Sequence, residues 1–334
     1  MVLKSSPVVL SVVVPCYNEE PNLDSLIGRL VTVLDPLNLK YEIVCVNDGS
    51  RDNTLKYLIE HHHRNPAVKV VNLSRNFGKE IALTAGLEYA TGDAVIPIDA
   101  DLQDPPELIG ELVEKWQEGY DVVYCKRRSR QGESWLKKAT ANVFYRVIEK
   151  ITPIPIPRDT GDFRLMDRQV IDALKNLQET HRFMKGLFAW VGFKQTFIEY
   201  DRSPRFQGTT KWNYWKLWNF AIEGITSFSS VPLRIWSYVG LFIAILAFIY
   251  GSFLIIRTLI LGIDVPGYAS LMVVTLFLGG VQLLTLGILG EYIGRVYDEV
   301  KRRPLYLVRD CYGFETVSQG NSSEKVEQSQ PESD

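Results

Sequence analysis

The chain has 334 residues, enough for one large folded domain and an appendage. Lys and Arg (37) nearly balance Asp and Glu (39), for a net charge of -2. No general basic field therefore draws it to nucleic acid, and any basic site must be local. Four widely spaced cysteines, Cys16, Cys45, Cys125 and Cys311, form no CxxC pair, which argues against a disulfide framework or zinc site and for a reduced, cytosolic setting.

Met1 to Pro7 holds no long apolar core, so no signal peptide is expected. From Val8 to Tyr200, strand-like and helix-like segments alternate. The predicted strands are Leu10 to Pro15, Tyr41 to Asn47, Val68 to Leu73, Ala94 to Ile98 and Asp121 to Cys125. Between them, helical patterns run over Pro21 to Leu34, Asp52 to His63, Gly78 to Ala90 and Pro105 to Glu118, the last with Pro near its start. Such a βαβα order predicts an α/β fold with a mostly parallel sheet and helices on both faces. Ligands of such sheets sit beyond the carboxyl ends of the strands, which is where polar motifs fall in this chain.

Glu133 to Lys150 is amphipathic, and Lys211 to Phe228 is amphipathic and rich in Trp and Tyr, as expected of a helix lying in a membrane interface. Trp236 to Ile256 carries no charge and at about 1.5 Å per residue would reach across roughly 30 Å, a bilayer core. Tyr268 to Leu289 is a second uncharged run, and the turn between them holds Gly262, Pro266 and Gly267, so a two-span hairpin is predicted. Arg234 precedes the first span, Lys301, Arg302 and Arg303 follow the second, and the connecting loop has Asp264 but no Lys or Arg. Both termini should therefore be cytoplasmic. Residues 315–334 are rich in Ser, Gln and Glu and read as a disordered tail.

Pro15-Cys16-Tyr17-Asn18-Glu19-Glu20 follows the first strand and Asn47-Asp48-Gly49-Ser50 the second. Taken alone each motif is weak, and Asp48 to Asp52 also suits a turn with a helix cap. The fourth strand ends in Asp99-Ala100-Asp101. Residues i and i+2 of an extended chain point to one side, so both carboxylates could share a divalent cation and, through it, a diphosphate. Several other features carry less. His61, His62 and His63 are consecutive, and a helix would point them apart. Gly78-Lys79-Glu80 lacks the rest of a Walker loop. Lys126, Arg127, Arg128 and Arg130 follow a strand and suit phosphate binding.

Taken together, PCYNEE, NDGS, SRNFGKE, DADLQDPPE and TGDFR resemble glycosyltransferase family 2, with its Rossmann-like GT-A fold. With two C-terminal spans and RFQGTTKW, the chain is similar to bacterial polyprenyl-phosphate glycosyltransferases, relatives of dolichol-phosphate mannose synthase. The resemblance implies that Pro15, Tyr17, Glu19, Asp48 and Lys79 bind the nucleotide-sugar. By the same resemblance, Asp99 and Asp101 hold it through Mg²⁺ or Mn²⁺, and Gln103 lies by the diphosphate and sugar. Asp162 matches a proposed catalytic carboxylate, and Arg127, Arg205 and Lys211 match basic positions near the acceptor phosphate. Asp162 is expected to orient the sugar or a basic partner such as Arg164. One departure is Thr160-Gly161-Asp162-Phe163-Arg164, where mannose synthases carry a TSGFR-like segment, which favours the glucosyltransferase-like branch.

These expectations divide the chain into a GT-A catalytic domain (1–210), an interfacial helix (211–231), a transmembrane hairpin (232–296) and a cytoplasmic segment with its tail (297–334). The implied reaction is inverting transfer of a hexose, glucose from UDP-glucose by preference, to undecaprenyl phosphate at the cytoplasmic face of the inner membrane. A processive polysaccharide synthase of the same superfamily, or a non-catalytic scaffold or flippase subunit, are the alternatives; the first usually carries a Gln-x-x-Arg-Trp motif and more spans. The strand-like segment Arg303 to Val308 is expected to pair with a neighbouring subunit of a homo-oligomer, a tetramer by resemblance.

Overall fold

The computed structural model describes residues 9–128, 160–177, 179–180, 182–201, 231–261 and 267–314. Among them, eight strands form one sheet in the order β7-β5-β6-β4-β1-β2-β3-β8. The strands are β1 (Leu10–Cys16), β2 (Tyr41–Asn47), β3 (Val68–Leu73), β4 (Ala94–Pro97), β5 (Val122–Arg127), β6 (Thr160–Asp167), β7 (Gln195–Tyr200) and β8 (Val308–Tyr312). The helices of this domain are α1 (Glu20–Leu34), α2 (Thr54–Arg64), α3 (Lys79–Tyr89), α4 (Ile109–Gln117), α5 (Arg168–Lys175) and α6 (Met184–Trp190). The predicted helix Pro105 to Glu118 is split: a short 3-10 turn over Pro106–Leu108 leads into α4.

The sequence β1-LSVVVPC makes a strand because both faces of the sheet are covered, so every position can take an apolar residue. Alternate side chains divide between two cores. Val12 and Val14 pack with Leu23, Leu26 and Leu30 of α1 and with Ile109 and Leu112 of α4. Val13 points the other way, to Ala82 and Leu83 of α3 and to Val170 and Leu187 of α5 and α6. Gly86 lets α3 lie close on the sheet: a Cβ there would stand 2.2 Å from Val13 Cγ1. Cys16, Cys45 and Cys125 are buried in this core, as their apolar surroundings predict.

Register decides where the chemistry gathers. β1 to β4 run parallel, with Cys16 opposite Asn47 and Val13 opposite Pro97, so their carboxyl ends share one edge. β6 lies antiparallel between β4 and β5, with Ala94 opposite Asp167 and Val95 opposite Met166. Its amino end therefore reaches the same edge, where Asp162 and Asp99 come within reach of one lysine ammonium.

Beyond the domain run α7 (Val231–Leu261, 31 residues) and α8 (Tyr268–Val300, 33 residues). Their large apolar side chains face outward; Phe248 is 77% exposed and Leu283 72%. Ser270–Val300 is long and apolar enough to cross a membrane, and α7 holds the shorter apolar stretch Tyr238–Phe253. The expected amphipathic helices at 133–150 and within 211–230, and the tail, lie outside the described residues. The expectation for Arg303 to Val308 needs correction. The strand begins only at Val308, and it pairs antiparallel with β3 of the same chain, Val71 opposite Cys311. The β3 edge thus receives its ladder bonds within one chain.

Candidate active site

Four loops at the carboxyl edge are tied to one another before any ligand is considered. The Asn18 amide donates to Ser50 Oγ at 3.0 Å, and Asn18 Oδ1 accepts from the Arg51 amide at 2.8 Å. The Glu19 amide donates to Thr54 Oγ1 at 2.9 Å. The loop that holds Tyr17 and Glu19, both half-buried, is thereby fixed to the loop after β2. Pro15, also half-buried, stands opposite Val46 one residue before the end of β1.

Asp48 is 2% exposed, and its carboxylate is engaged by the loop that precedes α3. It accepts from the amides of Phe77 (2.7 Å) and Gly78 (3.0 Å) and from Asn76 Nδ2 (2.9 Å). Gly49, at φ +62, allows the approach, since a Cβ there would meet the Arg75 and Asn76 backbone at 2.5 Å. The effect is to fix Gly78 and, next to it, Lys79, the first residue of α3.

Lys79 joins the two carboxylates on which the expected chemistry depends. Its Nζ lies 2.6 Å from Asp99 Oδ1, 2.9 Å from Asp99 Oδ2 and 2.6 Å from Asp162 Oδ2. Asp162 is 8% exposed, and its Oδ1 has no protein partner. Burial alone would raise its pKa, but Lys79 and Lys185 hold the carboxyl well below the usual carboxylate range, so it is ionised at neutral pH. The neighbouring Glu80 goes the other way, pushed up to about 8 by burial and by the charge of Asp162. Among the described residues the basic side chain hydrogen-bonded to Asp162 is Lys79 rather than the expected example, Arg164. Arg164 instead donates from Nη2 to the Gly161 carbonyl at 3.0 Å and lies 4.1 Å over the Phe188 ring.

Asp101 Oδ1 accepts from the Gln103 amide at 3.2 Å, which turns the chain back on itself just after the acidic pair. The turn uses Leu102 at φ 57, an unusual conformation for a bulky residue, kept by burial of its side chain to 3% exposure. Asp104 next to it accepts a hydrogen bond from the Tyr200 hydroxyl, which also accepts from Arg127 Nε at 3.4 Å. A Cβ at Gly161 would sit 3.2 Å from Arg127 Nη2, so the guanidinium lies against the residue that precedes Asp162. Its neighbours differ: Lys126 and Arg128 pair with Glu199, and Arg128 also with Asp201. Arg205 and Lys211 lie outside the described residues. The His61-His62-His63 run is occupied structurally, His61 with Asp24 and His62 with the Val68 carbonyl.

Among the described residues no group of three or more His, Cys, Asp or Glu could hold a metal by itself. Asp99 and Asp101 supply two carboxylates, though not from an extended strand as expected: β4 ends at Pro97 and Asp101 lies in the turn that follows. That donor set fits Mg²⁺ or Mn²⁺, which take one or two carboxylates and complete their shell with phosphate oxygens and water. Sequence reasoning counted Lys79 only as a nucleotide contact and missed its bridging position, as it missed the Tyr200–Asp104 pair; the lysine lies 20 residues from Asp99 and 83 from Asp162.

The chain is similar to known proteins over most of its length. The profile described as glycosyl transferase family 2 matches residues 11–175, and that described as the GtrB C-terminal hairpin matches residues 231–296. An uncharacterized glycosyltransferase of Synechocystis sp. is 67% identical over 92% of this chain and 96% of its own length. A bactoprenol glucosyl transferase of Shigella phage SfII is 50% identical over 91% of this chain and 98% of its own. An uncharacterized glycosyltransferase of Bacillus subtilis is 50% identical over 91% and 94%.

Proposed function

Because the chain belongs to glycosyltransferase family 2, we propose that this enzyme transfers glucose from UDP-glucose to undecaprenyl phosphate, with inversion, at the cytoplasmic face of the membrane. The reading is carried by Lys79 drawing the catalytic candidate Asp162 and the first carboxylate of the DxD pair to one point at the sheet edge. The bactoprenol glucosyl transferase of phage SfII, half identical along nearly its whole length, supports the acceptor and the sugar. The GtrB-type hairpin match over 231–296 supports two spans, α7 and α8, and the flanking charges Arg234 and Lys301 to Arg303 support a domain and both termini in the cytoplasm. A homo-oligomer, a tetramer, is the proposed assembly, tested by its mass in detergent.

A lipid phosphate monoester is largely dianionic at neutral pH, because its second pKa is near roughly 6. Its oxygen can form the new bond to the anomeric carbon as the bond to the nucleotide diphosphate breaks and the electron pair leaves with UDP. No proton need pass to the protein. The difficulty is the meeting of two anions, and Arg127, with Arg205 and Lys211, supplies the compensating charge. Asp99 and Asp101 would hold Mg²⁺ or Mn²⁺, which when bound stabilises negative charge on the diphosphate. Asp162, ionised and held by Lys79, favours positive charge at the anomeric centre. Pro15, Tyr17 and Glu19 border the nucleotide, and Gln103 the sugar.

The test is purified protein with undecaprenyl phosphate and a panel of nucleotide-sugars, with and without excess EDTA. Glucosyl lipid from UDP-glucose, lost with EDTA, is expected. A polymer as product would favour a processive synthase, and full turnover in EDTA would remove the metal from the scheme.

A further inference from the structure

The ammonium of Lys79 occupies the oxygens that a metal would need. Both oxygens of Asp99 lie on it, at 2.6 and 2.9 Å. A divalent cation binding Asp99 at its ordinary distance of about 2.1 Å would meet a positive charge on the same oxygens, in a site partly shielded from water. Ion and ammonium therefore compete for Asp99. They do not compete for Asp162, which holds Lys79 from the other side at 2.6 Å and is far more buried, with a side chain 9% exposed against 23% for Asp99. The backbone of Lys79 follows a loop pinned by Asp48, while its side chain is 46% exposed. The root is fixed, and the flexible stem is free to move its charge.

We propose that Lys79 is an internal counter-cation of the DxD site: it covers Asp99 until a nucleoside diphosphate arrives, and then passes to the diphosphate as the metal takes the carboxylate. Lys79 is thus a positioning residue that makes metal and donor binding interdependent. A diphosphate offers the ammonium a new anionic partner, so its exit from Asp99 costs little only when the donor is present. Without the donor, a metal at Asp99 must displace an ion pair with nothing in return. The protein then waits with its carboxylates neutralised rather than loaded with metal, and Asp162 keeps a fixed orientation through the exchange.

The inference rests on the proposed metal-dependent donor site, and the experiment separates the two. Binding of Mn²⁺ to the full-length protein in detergent is followed by electron paramagnetic resonance of the free ion, with and without UDP. Wild type should bind Mn²⁺ weakly alone and at least about tenfold more tightly with UDP, beyond the affinity of Mn²⁺ for UDP in solution. Lys79→Met, which keeps the stem and removes the charge, should bind Mn²⁺ alone about tenfold more tightly than wild type and lose most of that coupling. Lys79→Arg, which keeps the charge, should stay weak without UDP. Equal Mn²⁺ affinity of wild type and Lys79→Met in the absence of UDP overturns the counter-cation role. If Lys79→Met does not fold, Lys79→Gln is read by the same criterion, and a wild type that binds Mn²⁺ equally with and without UDP overturns the role with no variant at all. Absence of Mn²⁺ binding to wild type even with UDP would instead remove the metal site and the inference with it.

Discussion

Asp310 on the last strand accepts a hydrogen bond from Asn72 Nδ2 at 3.0 Å, across 238 residues of sequence. Asn72 in turn accepts from Asn47 Nδ2 at 2.8 Å, and Asn47 Oδ1 accepts from the Ser50 amide at 3.3 Å. A line of amide side chains thus joins the segment leaving α8 to the loop after β2. Tyr306 adds a second tie, donating its hydroxyl proton to Glu88 on α3.

Asp310→Ala should leave Asn72 Nδ2, in a residue only 4% exposed, without its acceptor. The expected cost is about 1–2 kcal/mol of domain stability, read by thermal or denaturant unfolding. Asp310→Asn, which keeps an acceptor, should cost less. A double-mutant cycle with Asn72→Ala should show coupling, and strict additivity would mean the bond contributes nothing.

Asp48 gives a prediction that separates a nucleotide contact from a loop clamp. Its carboxylate accepts three hydrogen bonds from residues 76–78. Asp48→Ala should therefore lower stability by about 2 kcal/mol or more, because bonds to a charged acceptor are among the stronger ones. It should also weaken UDP binding by freeing Lys79. Reduced UDP affinity with unchanged unfolding would assign the carboxylate to the nucleotide alone.

The central strands were legible because β1 to β4 are buried on both faces and read as apolar runs. The local pattern of β6 does not read as a strand. Its sequence, TGDFRLMD, carries charges at Asp162, Arg164 and Asp167, yet seven of its eight residues are buried. The partners that make such burial tolerable, Lys79 for Asp162 and the Gly161 carbonyl and Phe188 ring for Arg164, come from folding and not from local pattern. The last strand was misplaced for the opposite reason. Leu305-Tyr306-Leu307-Val308 looks like a strand, but only Val308 belongs to one, and Tyr306 packs against the α3 face of the core. The DxD pair is legible because its two carboxylates stand only two residues apart in sequence. The ammonium between Asp99 and Asp162 was not, because only the antiparallel register of β6 brings its two partners together.

Glu80 should make stability fall as pH rises. Its carboxyl is raised from 4.5 to about 8 in the folded protein, chiefly by burial and then by Asp162. Between those values the folded chain keeps a proton that the unfolded chain has lost, so the slope of stability with pH is negative. Glu80→Gln removes that proton exchange. The variant should gain on wild type progressively from about pH 5 to pH 8 in thermal unfolding. A difference that stays constant over the range would show that Glu80 ionises normally.

Asp162 decides between a base and an orienting group. Lys79 and Lys185 overcome burial and keep its carboxyl well below the usual range, which makes it a poor acceptor of protons at neutral pH. The dianionic lipid phosphate needs no such acceptor. Asp162→Asn keeps the shape of the side chain but removes the charge that balances Lys79, so turnover should fall by about a hundredfold. KM for the nucleotide-sugar should change much less than turnover, since Asp99 and Asp101 are untouched and Asp48 still pins the loop from which Lys79 reaches the diphosphate. The rate against pH should rise with ionisation of the acceptor phosphate, near about pH 6, and then level off. Because that ionisation belongs to the substrate, the residual rate of Asp162→Asn should follow the same curve at a lower height. If the variant instead loses an ionisation that the wild type shows, the proton goes to Asp162, and the carboxylate is a general base in spite of its ammonium partner.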